Sequence, residues 1–158
     1  MANASLPVIP PLPIPLRKQA QPADCLAACA AMVLDYLGKS VDYTALLKTL
    51  QIKSIGALRQ NITRLERYGV SVTYGESDLH SIAQHLQRAH PVIAFVDTAE
   101  LPYWHYGCNH AVVIVGFGDD IVILNDPAFA DATQHVSAGD FELAWLNSDN
   151  VCAVITTE

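Results

Sequence analysis

Three side chains in this sequence have the types and positions for acyl transfer through a covalent thioester: Cys25, His110 and Asp126. Cys25 sits where a helical pattern begins. Unpaired backbone N–H groups and the positive end of the helix dipole favour a thiolate in a first turn, and the thiolate is the nucleophilic form. His110 stands directly before an apolar strand pattern, and Asp126 directly after the next one. A short turn joins the two strands, so the start of one lies beside the end of the other, which places His110 near Asp126. A carboxylate on one imidazole nitrogen fixes the tautomer and stabilises the imidazolium; the other nitrogen is then free to take a thiol proton. Singly, each residue also fits a plain role: Cys25 as a small core residue, His110 at a strand edge, Asp126-Pro127 in a turn. Jointly they make a nucleophile, a base and an orienting acid.

The elements that must position these groups can be read from periodicity. In the stretch Gln19 to Gly38, Leu26, Cys29, Ala30, Val33, Leu34 and Leu37 recur at spacings of three and four, the helical signature. Pro22 and Asp24 mark its start, with Asp24 as the N-cap, and Gly38 its stop. Further helices are expected over Asp42 to Leu50, Ser54 to Tyr68 and Ser77 to Ala89, each opened by Asp or Ser, with Gly69 closing the second. VSVTY, from Val70 to Tyr74, alternates like a short strand. The period changes at Pro91. PVIAFV, AVVIVGF (Ala111 to Phe117), IVILN (Ile121 to Asn125) and VCAVIT (Val151 to Thr156) read as buried strands, with Gly118-Asp119-Asp120 a tight hairpin. Helices first and mostly antiparallel strands afterwards predict an α+β domain, a helical half packed on a small twisted sheet. Before it, five prolines between Pro7 and Pro15 favour an extended arm over residues 1–16, lying on the surface of a domain spanning 17–158.

Composition limits the function. A chain of 158 residues, half of them hydrophobic, can bury a core as one domain. A formal charge of −7 argues against a sequence-independent nucleic-acid binder, which needs a basic face. No apolar run approaches the roughly 20 residues that span a bilayer, and no secretion signal is visible. The four cysteines are too few for a disulfide scaffold in a chain this long, so they are expected reduced, in a cytoplasmic setting.

The order Gln19, Cys25, His110, Asp126 resembles the bacteriocin-processing cysteine peptidases, the papain-like domains that remove double-glycine leader peptides. That family has a glutamine six residues before the nucleophile, a histidine opening a core strand and an Asp-Pro after the next strand. Here these read Gln19…Asp24-Cys25, His110-Ala111-Val112-Val113 and Asn125-Asp126-Pro127. The similarity runs from about Arg17 to the C-terminus. It implies a papain-like fold, with the nucleophile on the helical half and His110 and Asp126 on the antiparallel sheet. It also implies peptide-bond hydrolysis without a cofactor or metal, on a peptide or protein substrate cleaved after small residues. Gln19 and the Cys25 N–H would meet the oxyanion. Two departures stand out: Leu26 replaces the glycine usual after the nucleophile, where it would narrow the cleft or change which substrate backbone fits, and no exporter segment accompanies the domain. Acyl transfer to an amine would use the same residues, and a catalytically silent peptide-binding relative would keep them.

The aromatic run Tyr103-Trp104-His105-Tyr106-Gly107 either walls the substrate cleft, through Tyr103, Trp104 and Tyr106, or packs on the surface. The rival chemistry is a zinc site from Cys25, Cys29, Cys108 and His110. It ranks lower, because neither cysteine pair has the C-x2-C spacing and Gln19 and Asp126 would be left without a role.

Overall fold

The computed structural model describes residues 5–157. Residues 1–4 of the expected arm, and residue 158, lie outside that range. The elements run α1 (Cys25–Tyr36), α2 (Tyr43–Thr49), a 3₁₀ segment (Arg59–Tyr68), β1 (Ser71–Glu76), α3 (Leu79–Gln87) and β2 (Val92–Asp97). They continue with β3 (Asn109–Gly118), β4 (Ile121–Asn125), β5 (Gln134–Ser137), α4 (Ala138–Leu146) and β6 (Val151–Thr156). The strands form one six-stranded antiparallel sheet in the order β1-β6-β2-β3-β4-β5.

Strands that are apolar at every position must be covered on both faces, and β2, β3, β4 and β6 are. Ile93, Phe95, Val113, Val115 and Ala153 point to the layer of α1, α2 and the 3₁₀ segment. Their neighbours Val92, Ala94, Val112, Ile114 and Cys152 point to α3 and α4 on the opposite side. The α+β expectation holds, with helices on both faces of the sheet and not on one. Two more elements, β5 and α4, have no counterpart among the sequence expectations; α4 is started by Ser137, whose side chain accepts from the Asp140 N–H at 3.1 Å.

Helix α1 is the buried spine, with every residue from Leu26 to Leu34 removed from solvent. Gly38 (φ 74°) ends it in a Schellman arrangement: Lys39 N–H donates to Leu34 O at 2.8 Å and Gly38 N–H to Asp35 O at 3.1 Å. Its other end departs from expectation. Asp24 occupies the N-cap position, but its side chain caps nothing; one carboxylate oxygen accepts from the Tyr43 hydroxyl at 3.3 Å instead.

The helix expected over Ser54 to Tyr68 is shorter and tighter. Lys53 and Gly56 pair backbone to backbone in a turn with Gly56 at φ 110°, a conformation that no helix allows, and helical structure begins only at Arg59. The β3–β4 hairpin has two turn residues, with Asp120 in the left-handed region at φ 57°.

The proline-rich arm does more than lie on the surface. It crosses β3 as a strap. Ile9 and Phe117 exchange backbone hydrogen bonds of 2.8 and 2.9 Å, Leu12 N–H donates to Val115 O, and Ile9 and Ile14 are buried. The approach is close because Gly116 has no side chain: a Cβ there would lie 2.6 Å from Ile9 O and 3.0 Å from Pro11 Cα. Both obstacles are backbone, so Gly116→Ala must displace the strap. It should cost about 1–3 kcal/mol, as overpacking does, read as a lower denaturant midpoint; an unchanged midpoint would mean that the strap is not seated there.

Candidate active site

The three chemistry-bearing residues lie at element ends, and the fold brings those ends together. Cys25 is the first residue of α1 and half-buried. His110 is the second residue of β3, opposite Val96 of β2, and only 6% exposed. Asp126 follows β4 and is fully buried, at 0%. The β3–β4 register carries an irregularity between Ile114 and Gly116, and past it His110 Nε2 meets Asp126 Oδ1 at 2.7 Å. The Cys25 thiol lies close enough to the imidazole to help raise its pKa, and both residues line one cleft. With Nε2 taken by the carboxylate, Nδ1 is the nitrogen left for the thiol.

Asp126 accepts four hydrogen bonds. Oδ1 takes His110 Nε2 and the Ala128 N–H (2.9 Å); Oδ2 takes the Tyr103 hydroxyl (2.7 Å) and Trp104 Nε1 (2.9 Å). Burial is the largest single influence on this carboxyl and raises its pKa. The bond and charge of His110, together with the Tyr103 and Trp104 donors, outweigh it and hold the group below the usual carboxylate value. For His110 burial is again the largest influence and lowers the pKa. The hydrogen bond to Asp126, the neighbouring Cys25 thiol and the charges of both outweigh it, and the imidazolium is pushed up to about 9. The arrangement therefore favours a charged imidazolium at neutral pH, the partner a thiolate needs.

Gln19 is tethered to the same corner: its backbone N–H donates to Pro127 O at 2.9 Å. Its side-chain amide donates to Gln21 O and Pro22 O, both at 3.0 Å, while Oε1 is buried without a partner. In this conformation the amide closes the turn that leads into Cys25.

A cleft of about 510 Å³ opens over Cys25 and His110. Leu26 lines it beside Pro22 and Ala23. The opposite walls were not foreseen: Ile55 and Leu58 from the turn before the 3₁₀ segment and Arg59 at its start, Phe95 from β2, and Asn147 to Asp149 after α4. Ile55 is 95% exposed, and Arg59 is held by Ser148 O at 2.8 Å and Asp149 at 3.1 Å. Tyr103, Trp104 and Tyr106 do not line this cleft. Tyr103 and Trp104 sit behind the imidazole on Asp126, with the Trp104 ring 4.7 Å from that of His110 and edge-on to it; Tyr106 is largely exposed. Their placement was unreadable because strand and helix periods do not govern where a loop side chain points.

The zinc alternative is not assembled. Among the described residues no three His, Cys, Asp or Glu side chains converge as a ligand group. Cys29 lies one turn behind Cys25 in the core, where burial first, and then the charges of Cys25 and Asp126, push its thiol well above the usual range.

The model of the Peptidase_C39 like family matches residues 11–153. The chain belongs to that family. It is a cysteine peptidase. Solved C39-type domains share its fold throughout. A putative C39-like peptidase from Bacillus anthracis superposes with a TM-score of 0.78 at 16% identity, covering 99% of each chain. The peptidase domain of Streptococcus ComA, a bifunctional ABC transporter of a quorum-sensing pathway, gives 0.73 at 17% identity, covering 92% of this chain and 99% of its own. A double-glycine-motif protease from an AMS/PCAT transporter, in complex with its leader peptide, gives 0.69 at 19%, covering 92% and 93%. Curated proteins yield no match. The papain-like fold expected from the sequence is thus the fold of this C39-like peptidase. Among the described residues, no helix is long and apolar enough to cross a membrane.

Proposed function

We propose that this C39-like peptidase hydrolyses a peptide bond in a peptide or protein substrate, in the manner of leader-peptide processing, with Cys25 as nucleophile. The observation that carries this reading is the 2.7 Å His110–Asp126 pair, whose imidazole lines one open cleft with a cysteine at a helix start. Cys25 attacks the carbonyl carbon as thiolate, and the carbonyl π electrons move onto oxygen. The imidazolium of His110 then protonates the leaving amine as the C–N bond breaks. Water, as His110 takes its proton, adds to the thioester carbonyl; the C–S bond then breaks, releasing the acid and restoring the thiolate–imidazolium pair. Asp126 keeps the Nε2–H in place throughout. A peptide substrate is supported by the relative whose structure holds a leader peptide. Leu26 at the cleft edge favours small residues at the scissile bond. A reducing, cytoplasmic setting is consistent with four free thiols among the described residues.

The test is alkylation with iodoacetamide at neutral pH, with the modified cysteine identified by mass spectrometry. Rapid, selective modification of Cys25 is expected; four equally sluggish thiols would overturn the reading.

Gln19 is assigned to the oxyanion, which requires its amide to turn one N–H from the Gln21 or Pro22 carbonyl to the substrate. Gln19→Ala should then lower the rate constant about 10²–10³-fold with little change in apparent affinity. Gln19→Glu should be at least as harmful, because a carboxylate would face both the thiolate and the developing charge. Since the amide also closes the 19–22 turn, some loss of melting temperature will accompany either change. Lost stability with normal turnover would remove Gln19 from the chemistry.

A further inference from the structure

Asp126 has two oxygens, and the mechanism uses one. Oδ1 holds His110; Oδ2 is occupied by two aromatic donors from a single loop, Tyr103 Oη at 2.7 Å and Trp104 Nε1 at 2.9 Å. We propose that Tyr103 and Trp104 are positioning residues of the C39-like peptidase: they clamp the second carboxylate oxygen, so that the first stays aligned with His110 and the thiolate–imidazolium pair stays assembled. The inference rests on the Cys25–His110–Asp126 reading above and deepens it.

A carboxylate bonded through one oxygen can pivot about its Cβ–Cγ bond. Fixing the other oxygen from two directions removes that freedom. The donors are themselves held. The Tyr103 and Trp104 rings each meet Phe129 edge-on, at 5.1 and 5.2 Å between centroids. The loop's base is tied through buried Thr98, whose hydroxyl donates to Tyr106 O at 2.8 Å and whose N–H donates to Cys108 O at 3.0 Å. Trp104 adds a second effect, since its ring packs against the His110 imidazole and keeps water from the bond that the carboxylate must hold in a low-dielectric site. The loop joins β2 to β3 and ends two residues before His110, so acid and base are positioned by one connection. Tyr103 can only donate here: burial, and then the charge of Asp126, keep its phenol protonated far above the usual range.

The experiment follows the second-order rate of Cys25 alkylation by iodoacetamide at pH 7, read on the Cys25 peptide, because this small neutral probe senses the thiolate–imidazolium pair and not the cleft. Tyr103→Phe and Trp104→Phe are compared in the native background and in Asp126→Asn. Each should slow alkylation roughly tenfold in the native background, as expected for losing a hydrogen bond to a buried charge. Neither should slow it further once Asp126 is Asn, since both act through the carboxylate. Equal slowing in both backgrounds, with a fall in melting temperature, would mean that the rings merely hold the fold and would overturn the proposal. Unchanged alkylation in the native background would overturn it too. Were Asp126→Asn itself without effect, the Cys–His–Asp reading would fall first; that outcome is distinct from one in which Asp126→Asn slows the reaction and the aromatic variants do not.

Discussion

Cys25→Ala will abolish turnover, a loss of about 10⁶-fold if it behaves as removal of other covalent nucleophiles does. No other thiol of the C39-like peptidase can stand in. Cys29 and Cys152 are buried, and burial pushes both thiols up, that of Cys152 to about 11. Cys108 is engaged with Thr98, 3.5 Å from its hydroxyl, at the far end of the aromatic loop. Only Cys25 combines a helix start with a place beside His110 on the cleft wall. The substitution deletes one sulfur from a half-buried site, so the melting temperature should move by only about 2 °C. Hydrolysis of a fluorogenic peptide panel, with thermal unfolding in parallel, checks both halves. A folded variant that still cleaves would end the assignment of Cys25.

How far the site could be read from sequence follows from where its residues stand. Cys25, His110 and Asp126 all mark a change of pattern: loop to helix, loop to strand, strand to turn. A boundary fixes a backbone position, and strand pairing then fixes which ends meet; hence the His110–Asp126 pair was legible before any coordinate. Leu26 drew attention only through the resemblance, as a larger side chain where the family has glycine after the nucleophile. Ile55 and Leu58 were not legible. Their apolar spacing with Ile62 and Leu65 suggests a helix face, but Gly56 at φ 110° breaks it and leaves both exposed on the cleft rim. Nor was the second helical layer legible, because uniformly apolar strands demand cover on both faces without naming what supplies it. Tyr103 and Trp104 illustrate a third limit. Aromatic residues before a catalytic histidine suggest a wall, and only coordinates reveal that their polar tips turn inward to a buried carboxylate.

Asp126→Asn should be the second most damaging change, with a rate loss of up to about 10⁴-fold where the amide turns the histidine to the wrong tautomer. The amide keeps the size of the carboxylate and can still bond Tyr103, Trp104 or Ala128, so packing survives. It loses the charge that helps to hold the His110 imidazolium up to about 9. In the native enzyme the alkaline limb of kcat/KM should therefore lie near pH 9, where the imidazolium is lost, and in Asp126→Asn it should move to lower pH. Stability should follow the same groups. His110 is raised above its ordinary 6.5, so its contribution is complete below that value and is lost as pH rises toward about 9. Asp126 is lowered from 3.8, so its contribution is present above that value and lost as pH falls through its depressed pKa. The pair should thus stabilise the native protein most between about pH 4 and 6.5, and the difference in unfolding free energy between native and Asp126→Asn should peak in that window. Denaturant titrations across pH, set beside the pH profile of Cys25 alkylation, measure both. A variant with an unshifted alkaline limb and a pH-independent stability difference would reduce Asp126 to a turn residue. A shifted limb with retained fold would fix it as the group that keeps His110 charged.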